Sequence, residues 1–139
     1  MTEVVVELPH LRIFWDEELR AVHLVWLEPT GGAPLREGLN RGLEVLREQG
    51  AQRWLADLKW LGVMTKSDEV WVNEDWFSRA IESGMRWLAV VNPESSLSTV
   101  SVREIMESAK TKERVKSDLV QAHSFETLVD ARAWLAGCE

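Results

Sequence analysis

The sequence predicts a single α/β domain in which a mixed β-sheet, begun by an antiparallel hairpin, packs against about four helices. Segments rich in β-branched and aromatic residues open the chain, and from Leu35 onward helical repeats alternate with short apolar runs. Such alternation is typical of parallel strands that are joined by crossover helices. The length of 139 residues fits one domain that covers residues 1–139.

The first three strands are predicted near the start of the chain. Residues 4–8 form a short apolar run that follows the pattern of a strand and is closed by Pro9. Residues 11–15 and 21–27 flank a short acidic segment, which is typical of a β-hairpin. The sheet is therefore predicted to begin with antiparallel pairing.

A helix is predicted from Leu35 until Gly50, which has the position of a C-terminal cap. Its apolar face is formed by Leu35, Leu39, Leu43 and Leu46. Gly38 and Gly42 lie one turn apart, and each costs about 1 kcal/mol of helix stability relative to alanine. Close packing of this helix against the sheet is the expected compensation, and a surface for ligand approach is the alternative.

Three further strands are predicted over residues 54–56, 87–91 and 119–122, each as a short apolar run. The run over 87–91 has no polar alternation, as expected of a central strand that is covered on both faces. Together with the helices, these strands give the order β-β-β-α-β-α-β-α-β-α.

The remaining helices are predicted from capping residues. Thr65 and Asp68 form an approximate capping box, and Ser101 and Glu104 form another. Ser124 is predicted to cap the last helix. The residues predicted to face inward are Val70, Phe77 and Ile81 in the first of these helices, and Leu128, Ala131, Trp134 and Leu135 in the last.

Charge and cysteine content narrow the function classes. The net charge of −7, from 23 acidic and 16 basic side chains, repels phosphate backbones, so no nucleic acid is expected as a partner. A single cysteine, Cys138, excludes an intrachain disulfide and favours a reducing compartment. No segment approaches the ~18 apolar residues of a transmembrane helix, and the first residues lack the basic start of a signal peptide. We therefore expect a cytoplasmic protein that is not integral to a membrane.

Motifs for catalysis or metal binding are absent from the sequence. The three histidines lie far apart, and the patterns of serine hydrolases, zinc sites and P-loops do not occur. The acidic pairs at 68–69 and 74–75 are better explained by the positive end of a helix dipole. We expect no catalytic residue, no metal and no cofactor. The weakest alternative is an enzyme that combines Asp57 with His123 or His23.

Tryptophan is unusually frequent, with eight residues against no tyrosine. The segment over residues 58–65, between a predicted strand and a predicted helix, is rich in apolar residues for a loop. Such a loop either folds over the core or forms a contact surface, and aromatic residues anchor protein interfaces well. We predict a partner-binding surface formed by Trp60, Leu61, Met64 and Trp71.

Three motifs carry a family resemblance: Trp-Leu-Ala-Asp-Leu at 54–58, Leu-Gly-Val-Met-Thr at 61–65 and Asn-Glu-Asp-Trp-Phe-Ser-Arg-Ala at 73–80. With the order of elements, they resemble the STAS (SpoIIAA-like) fold of bacterial anti-sigma-factor antagonists, and more closely a group of uncharacterised STAS-like proteins. The similarity extends from the hairpin to residues 133–135. The resemblance implies a non-enzymatic protein-binding or regulatory module in bacterial signalling. Its implied partner is an anti-sigma factor or another signalling protein, and a homodimer is the alternative.

The resemblance also bears on a phosphorylation site. In the antagonists, the loop after this strand carries Asp-Ser-Ser-Gly, and a serine there is phosphorylated. The matching positions here are Thr65-Lys66-Ser67-Asp68, so Thr65 or Ser67 is the implied acceptor. A phosphate there would meet the positive end of the helix dipole and also the acidic Asp68.

A lipophilic ligand is the alternative to a protein partner. The STAS fold is similar to that of CRAL-TRIO lipid-transfer domains, which implies a small lipid-binding protein. In that case Leu61, Met64 and tryptophan side chains would line a pocket.

Overall fold

The computed structural model describes residues 2–94, 100, 102–103 and 120–139. In these residues the strands are β1 (Thr2–Leu8), β2 (Leu11–Asp16), β3 (Ala21–Trp26), β4 (Arg53–Asp57), β5 (Trp87–Val91) and β6 (Gln121–Phe125). The helices are α1 (Gly32–Gln49), α2 (Lys66–Trp71), α3 (Phe77–Glu82) and α4 (Leu128–Ala136). A π-helical turn, Val72–Trp76, joins α2 to α3.

The strands form one mixed sheet in which their spatial order is the order of the chain, from β1 to β6. β1, β2 and β3 are antiparallel neighbours, and β3 to β6 are parallel. The first pair contains an irregularity at Val5, because the register passes from Val4 opposite Phe14 to Val6 opposite Ile13. The predicted α/β class and the predicted hairpin are confirmed.

Helices cover the sheet on both faces. α1 and the segment α2–α3 pack on one face of the sheet. Both connect parallel strands by right-handed crossovers, and each crossover adds the next strand at the same edge, so both lie on the same face. Trp26, Trp54 and Trp76 are buried there. α4 packs on the opposite face, where Ala131 and Leu135 contact a second apolar cluster with residues of β4 and β5. β4 and β5 therefore contribute apolar residues to both faces of the sheet.

The two glycines of α1 allow the helix to lie close to the sheet. A Cβ atom at Gly38 would lie 2.7 Å from Leu11 and from the Trp26 ring, and one at Gly42 would collide with the Trp54 ring. The predicted packing explanation for these glycines is confirmed. The predicted leucine face is also confirmed, because Leu35, Leu39, Leu43 and Leu46 all pack in the core.

The helix after residue 65 departs from its prediction. Thr65 caps it, since its hydroxyl oxygen accepts a hydrogen bond from the Asp68 N–H at 3.2 Å, as predicted. The π-helical turn, however, inserts a wider repeat that shifts the apolar face. Val70 is therefore 48% exposed, and its predicted inward position is wrong. The buried residues of this helical segment include Val72, Trp76, Phe77 and Ala80.

The end of the chain requires two corrections. Ser124 does not cap the last helix, because it lies within β6, where it pairs with Val90. Thr127 is the cap, and its hydroxyl oxygen accepts from the Asp130 N–H at 3.2 Å. Leu128, predicted to face inward, is exposed at the first position of α4. The last strand runs over Gln121–Phe125 rather than 119–122 because pairing with β5 sets its limits.

α2, the π-helical turn and α3 are contiguous, so α1 to α4 form three helical segments, against about four predicted. The predicted helix opened by Ser101 and Glu104 lies outside the described residues, apart from positions 102–103. Within the described part of the chain, no helix has both the length and the apolar content that a membrane span requires.

Candidate functional site

The candidate site lies at the carboxyl ends of the parallel strands, where α/β sheets place their binding loops. Residues 27–31 follow β3, residues 58–65 follow β4, and residues 92–94 follow β5. The segment over 58–65, here named the β4–α2 loop, has the limits that the sequence predicted. Its neighbours on both sides belong to the same end of the sheet.

Backbone hydrogen bonds fix the β4–α2 loop to both neighbouring loops. The Thr30 N–H donates to the Leu61 carbonyl at 3.0 Å, and the Glu94 N–H donates to the Lys59 carbonyl at 3.1 Å. The Leu61 N–H closes a turn on the Leu58 carbonyl at 3.1 Å. The Asp57 carboxylate accepts from the Lys59 N–H at 3.1 Å. The loop is therefore tied by hydrogen bonds to the segments on both sides of it although it lies at the surface.

Gly62 allows the loop to approach the segment after β3. Its φ of +86° lies in the left-handed region, which side chains other than glycine rarely adopt. A Cβ atom at this position would also lie 2.9 Å from the Pro29 side chain. The loop conformation and the contact with Pro29 therefore both require a glycine here.

These loops enclose a groove of about 310 Å³, here named the edge groove. It is lined by Leu27, Glu28, Pro29, Lys59, Trp60, Gly62 and Glu94. Trp60 is 53% exposed, and Leu27 is also exposed. Val63, on the same loop, is 58% exposed. The carboxyl edge of the sheet thus presents apolar side chains to solvent.

Charged side chains accompany the apolar residues of the edge groove. The Lys59 ammonium lies 5.3 Å from the centroid of the Trp60 ring and 3.4 Å from the Glu94 carboxylate. Glu28 is exposed, and among the described residues no cation lies within ion-pair distance of its carboxylate. Within the part of the chain that the structure describes, the Glu28 carboxylate thus lies beside the apolar wall of the groove without an ion-pair partner.

The structure separates the four residues of the predicted partner-binding surface. Trp60 lies in the edge groove, whereas Leu61 is buried and Met64 packs against the core. Trp71 is half-buried on α2, between Arg36 and Arg79, whose guanidinium carbons lie 5.3 and 5.7 Å from its ring. The sequence prediction missed Leu27, Glu28 and Pro29. The turn residues that follow the third strand could have indicated a surface loop at this position.

The β4–α2 loop has two differently exposed sides. Leu58, Leu61 and Met64 point inward and line an apolar cavity of about 80 Å³ between the loop and the sheet. Trp60 and Val63 are exposed on the outer side. The same short segment therefore borders an apolar pocket and a surface groove.

Thr65 and Ser67, the implied phosphorylation positions, are both exposed, and each hydroxyl oxygen accepts a hydrogen bond. The Thr65 hydroxyl caps α2, and the Ser67 hydroxyl oxygen accepts from the Arg36 guanidinium at 3.1 Å. Asp68 beside them is buried, and its carboxylate accepts from the Gly32 N–H at 2.9 Å. Burial acts to raise the pKa of Asp68, but hydrogen bonds with Gly32, Thr65 and Arg36 outweigh it and hold the pKa below its usual value.

Of the residues of the enzyme alternative, Asp57 and His23 lie on neighbouring strands and interact electrostatically, but the His23 Nε2 has no hydrogen-bond partner among the described residues. Asp57 contacts the Lys59 backbone, and His123 is exposed two strands away on β6, with its ring 4.8 Å from that of Trp134. His23 is buried on β3, where its ring lies 5.6 Å from Phe14. Burial lowers the pKa of His23 to about 4, and Arg132 adds to this, against opposing effects of Asp57 and Asp16. This imidazole is therefore neutral near pH 7.

Within the described parts of the chain, no three His, Cys, Asp or Glu side chains lie close enough together to hold a metal ion. In the acidic pairs noted in the sequence, Asp68 contacts Gly32 and Arg36. Asp75 forms an ion pair of 2.7 Å with Arg79. Asp68 thus joins α2 to α1, whereas Asp75 forms an exposed ion pair within its own helical segment.

No protein-family model, no curated protein and no solved structure matches this chain. The resemblance to STAS proteins therefore stays a prediction from the three sequence motifs and the order of elements.

Proposed function

We propose that the chain is a non-enzymatic, STAS-like protein-binding module of bacterial signalling that holds its partner in the edge groove. The observation that carries this proposal is Trp60, a large apolar side chain that is 53% exposed on a loop fixed by backbone hydrogen bonds. The order of elements and the loop limits support the STAS-like part of the proposal.

A fixed, exposed tryptophan is suited to binding another protein. Tryptophan is enriched among the residues that dominate interface energies, because it buries a large area. Since the loop is already ordered by its contacts with Thr30 and Glu94, little conformational entropy is lost when a partner binds. The energy gained by covering Trp60 would therefore appear largely as affinity.

The charges of the groove favour a particular partner. Glu94 forms an ion pair with Lys59, whereas Glu28 has no ion-pair partner among the described residues, and the whole chain has a net charge of −7. We infer that the partner is another protein whose binding segment has an apolar side chain next to a lysine or arginine. A second copy of this chain fits less well, because each copy would bring the same net negative charge.

The partner can be captured inside the cells that produce the protein by placing a photo-crosslinking amino acid at position 60. The same amino acid at position 129 is the matched control. Val129 is 76% exposed on α4, which packs on the opposite face of the sheet. The protein captured from position 60 alone is then purified for calorimetry. Trp60→Ala should weaken its Kd by about 30-fold, which corresponds to about 2 kcal/mol, while Val129→Ala leaves it unchanged.

The melting temperature of Trp60→Ala should equal that of the unmodified protein, because the side chain is mostly exposed. Glu28→Lys should also weaken the complex, since it reverses the charge offered to the partner's basic residue. Unchanged affinity in Trp60→Ala would refute the groove as the contact surface. Crosslinking only to a second copy of this chain would refute the proposed partner.

A further inference from the structure

The sheet face that carries α4 extends beyond that helix. α4 packs on β4, β5 and β6, at one side of the face. Leu55 of β4, which packs in the apolar cluster under α4, lies opposite His23 of β3. His23 lies opposite Phe14 of β2, which lies opposite Val4 of β1. Because directly opposite residues share a face of the sheet, this row continues the face from α4 to the first strand.

The part of this face beside α4 is apolar and is here named the open strip, formed by Val4, Phe14, His23 and Val25. Val4 is 48% exposed, and Phe14 and Val25 are half-buried. The His23 Nε2 is buried and has no hydrogen-bond partner among the described residues. Burial keeps the pKa of this imidazole at about 4, so the ring is neutral near pH 7 and the open strip carries no charge of its own.

The outer side of α4 is apolar as well. Ala131 and Leu135 face the sheet. With 3.6 residues per turn, Val129, Ala133 and Ala136 share the opposite side of the helix. All three are exposed, and Val129 is 76% exposed. A surface helix normally turns polar residues toward solvent, so this apolar outer side indicates a contact with another molecule.

We propose that this face binds a second copy of the chain, with α4 of each copy lying on the open strip of the other. The helix and the open strip lie side by side on one face. A two-fold axis parallel to the strands therefore brings both helices onto both strips at once, as in other self-complementary dimers. The two sheets then enclose the two helices in one layer. This contact does not involve the edge groove and does not rest on the function proposed for it.

The dimensions of the two surfaces agree. Three strands spaced about 4.8 Å apart form a strip about 14 Å wide, which accommodates a helix about 10 Å in diameter. The nine residues of α4 extend about 14 Å, which is shorter than β2 or β3. The small side chains of Ala133 and Ala136 leave room for the Phe14 ring of the other copy.

The area of the contact predicts its strength. A strip about 14 Å wide and about 14 Å long covers roughly 200 Å² on each surface. Two reciprocal contacts then bury roughly 800 Å² in total, which is below the roughly 1,200 Å² of stable complexes. We therefore expect a weak dimer that dissociates in the micromolar range.

The charges that border the open strip are paired within the chain. Arg12 forms an ion pair of 3.4 Å with Glu7, and Arg132 of α4 forms one with Asp16. The surfaces that meet are therefore apolar, although each copy has a net charge of −7. Repulsion between the net charges is screened over about 8 Å at physiological salt. Dimerisation should consequently tighten when the salt concentration is raised.

Sedimentation equilibrium of the purified chain tests the association. Between about 10 μM and about 1 mM, we expect the average mass to rise from that of the monomer toward twice that value. Raising sodium chloride from about 0.15 M to about 0.5 M should lower the dimer Kd. A monomer at every concentration would overturn the proposal and leave the open strip to a different protein. A dimer that weakens with salt would show an ionic contact and also overturn it.

Three substitutions that change the charge equally separate the surfaces. Val129→Asp on α4 and Val4→Asp on the open strip should each raise the dimer Kd about tenfold or more, because each places a carboxylate in an apolar contact. Val70→Asp is the matched control, since Val70 is 48% exposed on α2, which packs on the opposite face of the sheet. Circular dichroism and melting temperatures verify that each variant is folded. Equal effects of all three would show general repulsion and overturn the proposal.

A spin label locates the contact between copies. Asp130→Cys, in a Cys138→Ser background, carries the label on the flank of α4 and is mixed with isotope-labelled chain that has no spin label. The amide signals of Phe14 and Val25 in the isotope-labelled copy should broaden. A label at Val70→Cys in the same background should leave them unchanged. Broadening that spares the open strip would assign the dimer to another surface and overturn the proposal.

Discussion

The carboxylate of Asp68 joins two helices. It is 2% exposed, accepts from the Gly32 N–H at the start of α1, and forms an ion pair of 3.3 Å with Arg36. The residue at the N-cap of α1 is Gly31, which makes no side-chain hydrogen bond. Asp68, from the first turn of α2, thus supplies the negative charge that the N-terminus of this 18-residue helix favours.

Asp68→Asn should therefore destabilise the protein by about 2 kcal/mol, because the amide keeps the shape but removes the charge from a buried, hydrogen-bonded group. Urea unfolding at pH 7 measures the loss. Asp75→Asn is the matched control, since its ion pair with Arg79 is exposed and should contribute less than about 1 kcal/mol. Equal losses in the two variants would contradict the role given to burial.

At the scale of elements, hydrophobic periodicity and turn residues predicted most of the strands and helices. The hairpin, α1 and the limits of the β4–α2 loop follow from local patterns that tertiary packing did not override. The π-helical turn was not predictable in this way, because Val72–Trp76 contains no glycine or proline to mark a break in the helix. Its effect appears only where the apolar face shifts away from Val70.

The last helix shows why a local rule can fail. Ser124 and Thr127 are both good N-cap residues, so the sequence satisfied the rule twice. Pairing of β6 with β5 through Phe125 decides between them, and this pairing depends on residues far apart in the chain. The residues of the candidate site were also hard to predict from local sequence. Nothing local distinguishes the exposed Trp60 from the buried Leu61 beside it, because their exposure depends on where the neighbouring segments pack.

Two alanine substitutions test the cap. Thr127→Ala should cost about 1 kcal/mol, because the Asp130 N–H at the start of α4 loses its acceptor. Ser124→Ala should change stability by less than about 0.5 kcal/mol, since this side chain is exposed on β6. Thermal or urea unfolding of both variants measures these two changes in stability. The reverse ranking would place the cap at Ser124.

For the molecule as a whole, His23 links folding to pH. Its folded pKa of about 4 lies below the model-peptide value of 6.5, so the unfolded chain binds the proton more tightly. The stability contributed by neutral His23 is present above pH 6.5 and is lost as the pH falls toward 4. Asp16 and Asp68 also have a lowered pKa, but their contributions are lost only below the usual aspartate value of 3.8.

Global stability should therefore fall by about 2 kcal/mol between pH 7 and pH 5 because of His23. Urea unfolding at the two pH values measures this difference. His23→Leu cannot take up a proton, so its stability should change much less over the same interval, whatever its stability at pH 7. An equal decline in the unmodified protein and the variant would contradict the assignment to His23.

The strand order of the sheet bears on how the chain folds during its synthesis. Each strand from β2 to β6 pairs with the strand that precedes it in the chain. A ribosome releases the N-terminal strands first, so each later strand meets a partner that has already left the ribosome. The sheet can then grow at a single edge, because no later strand has to insert between two strands that are already paired. Neighbour-by-neighbour assembly keeps the separation between contacting residues short, which favours rapid folding.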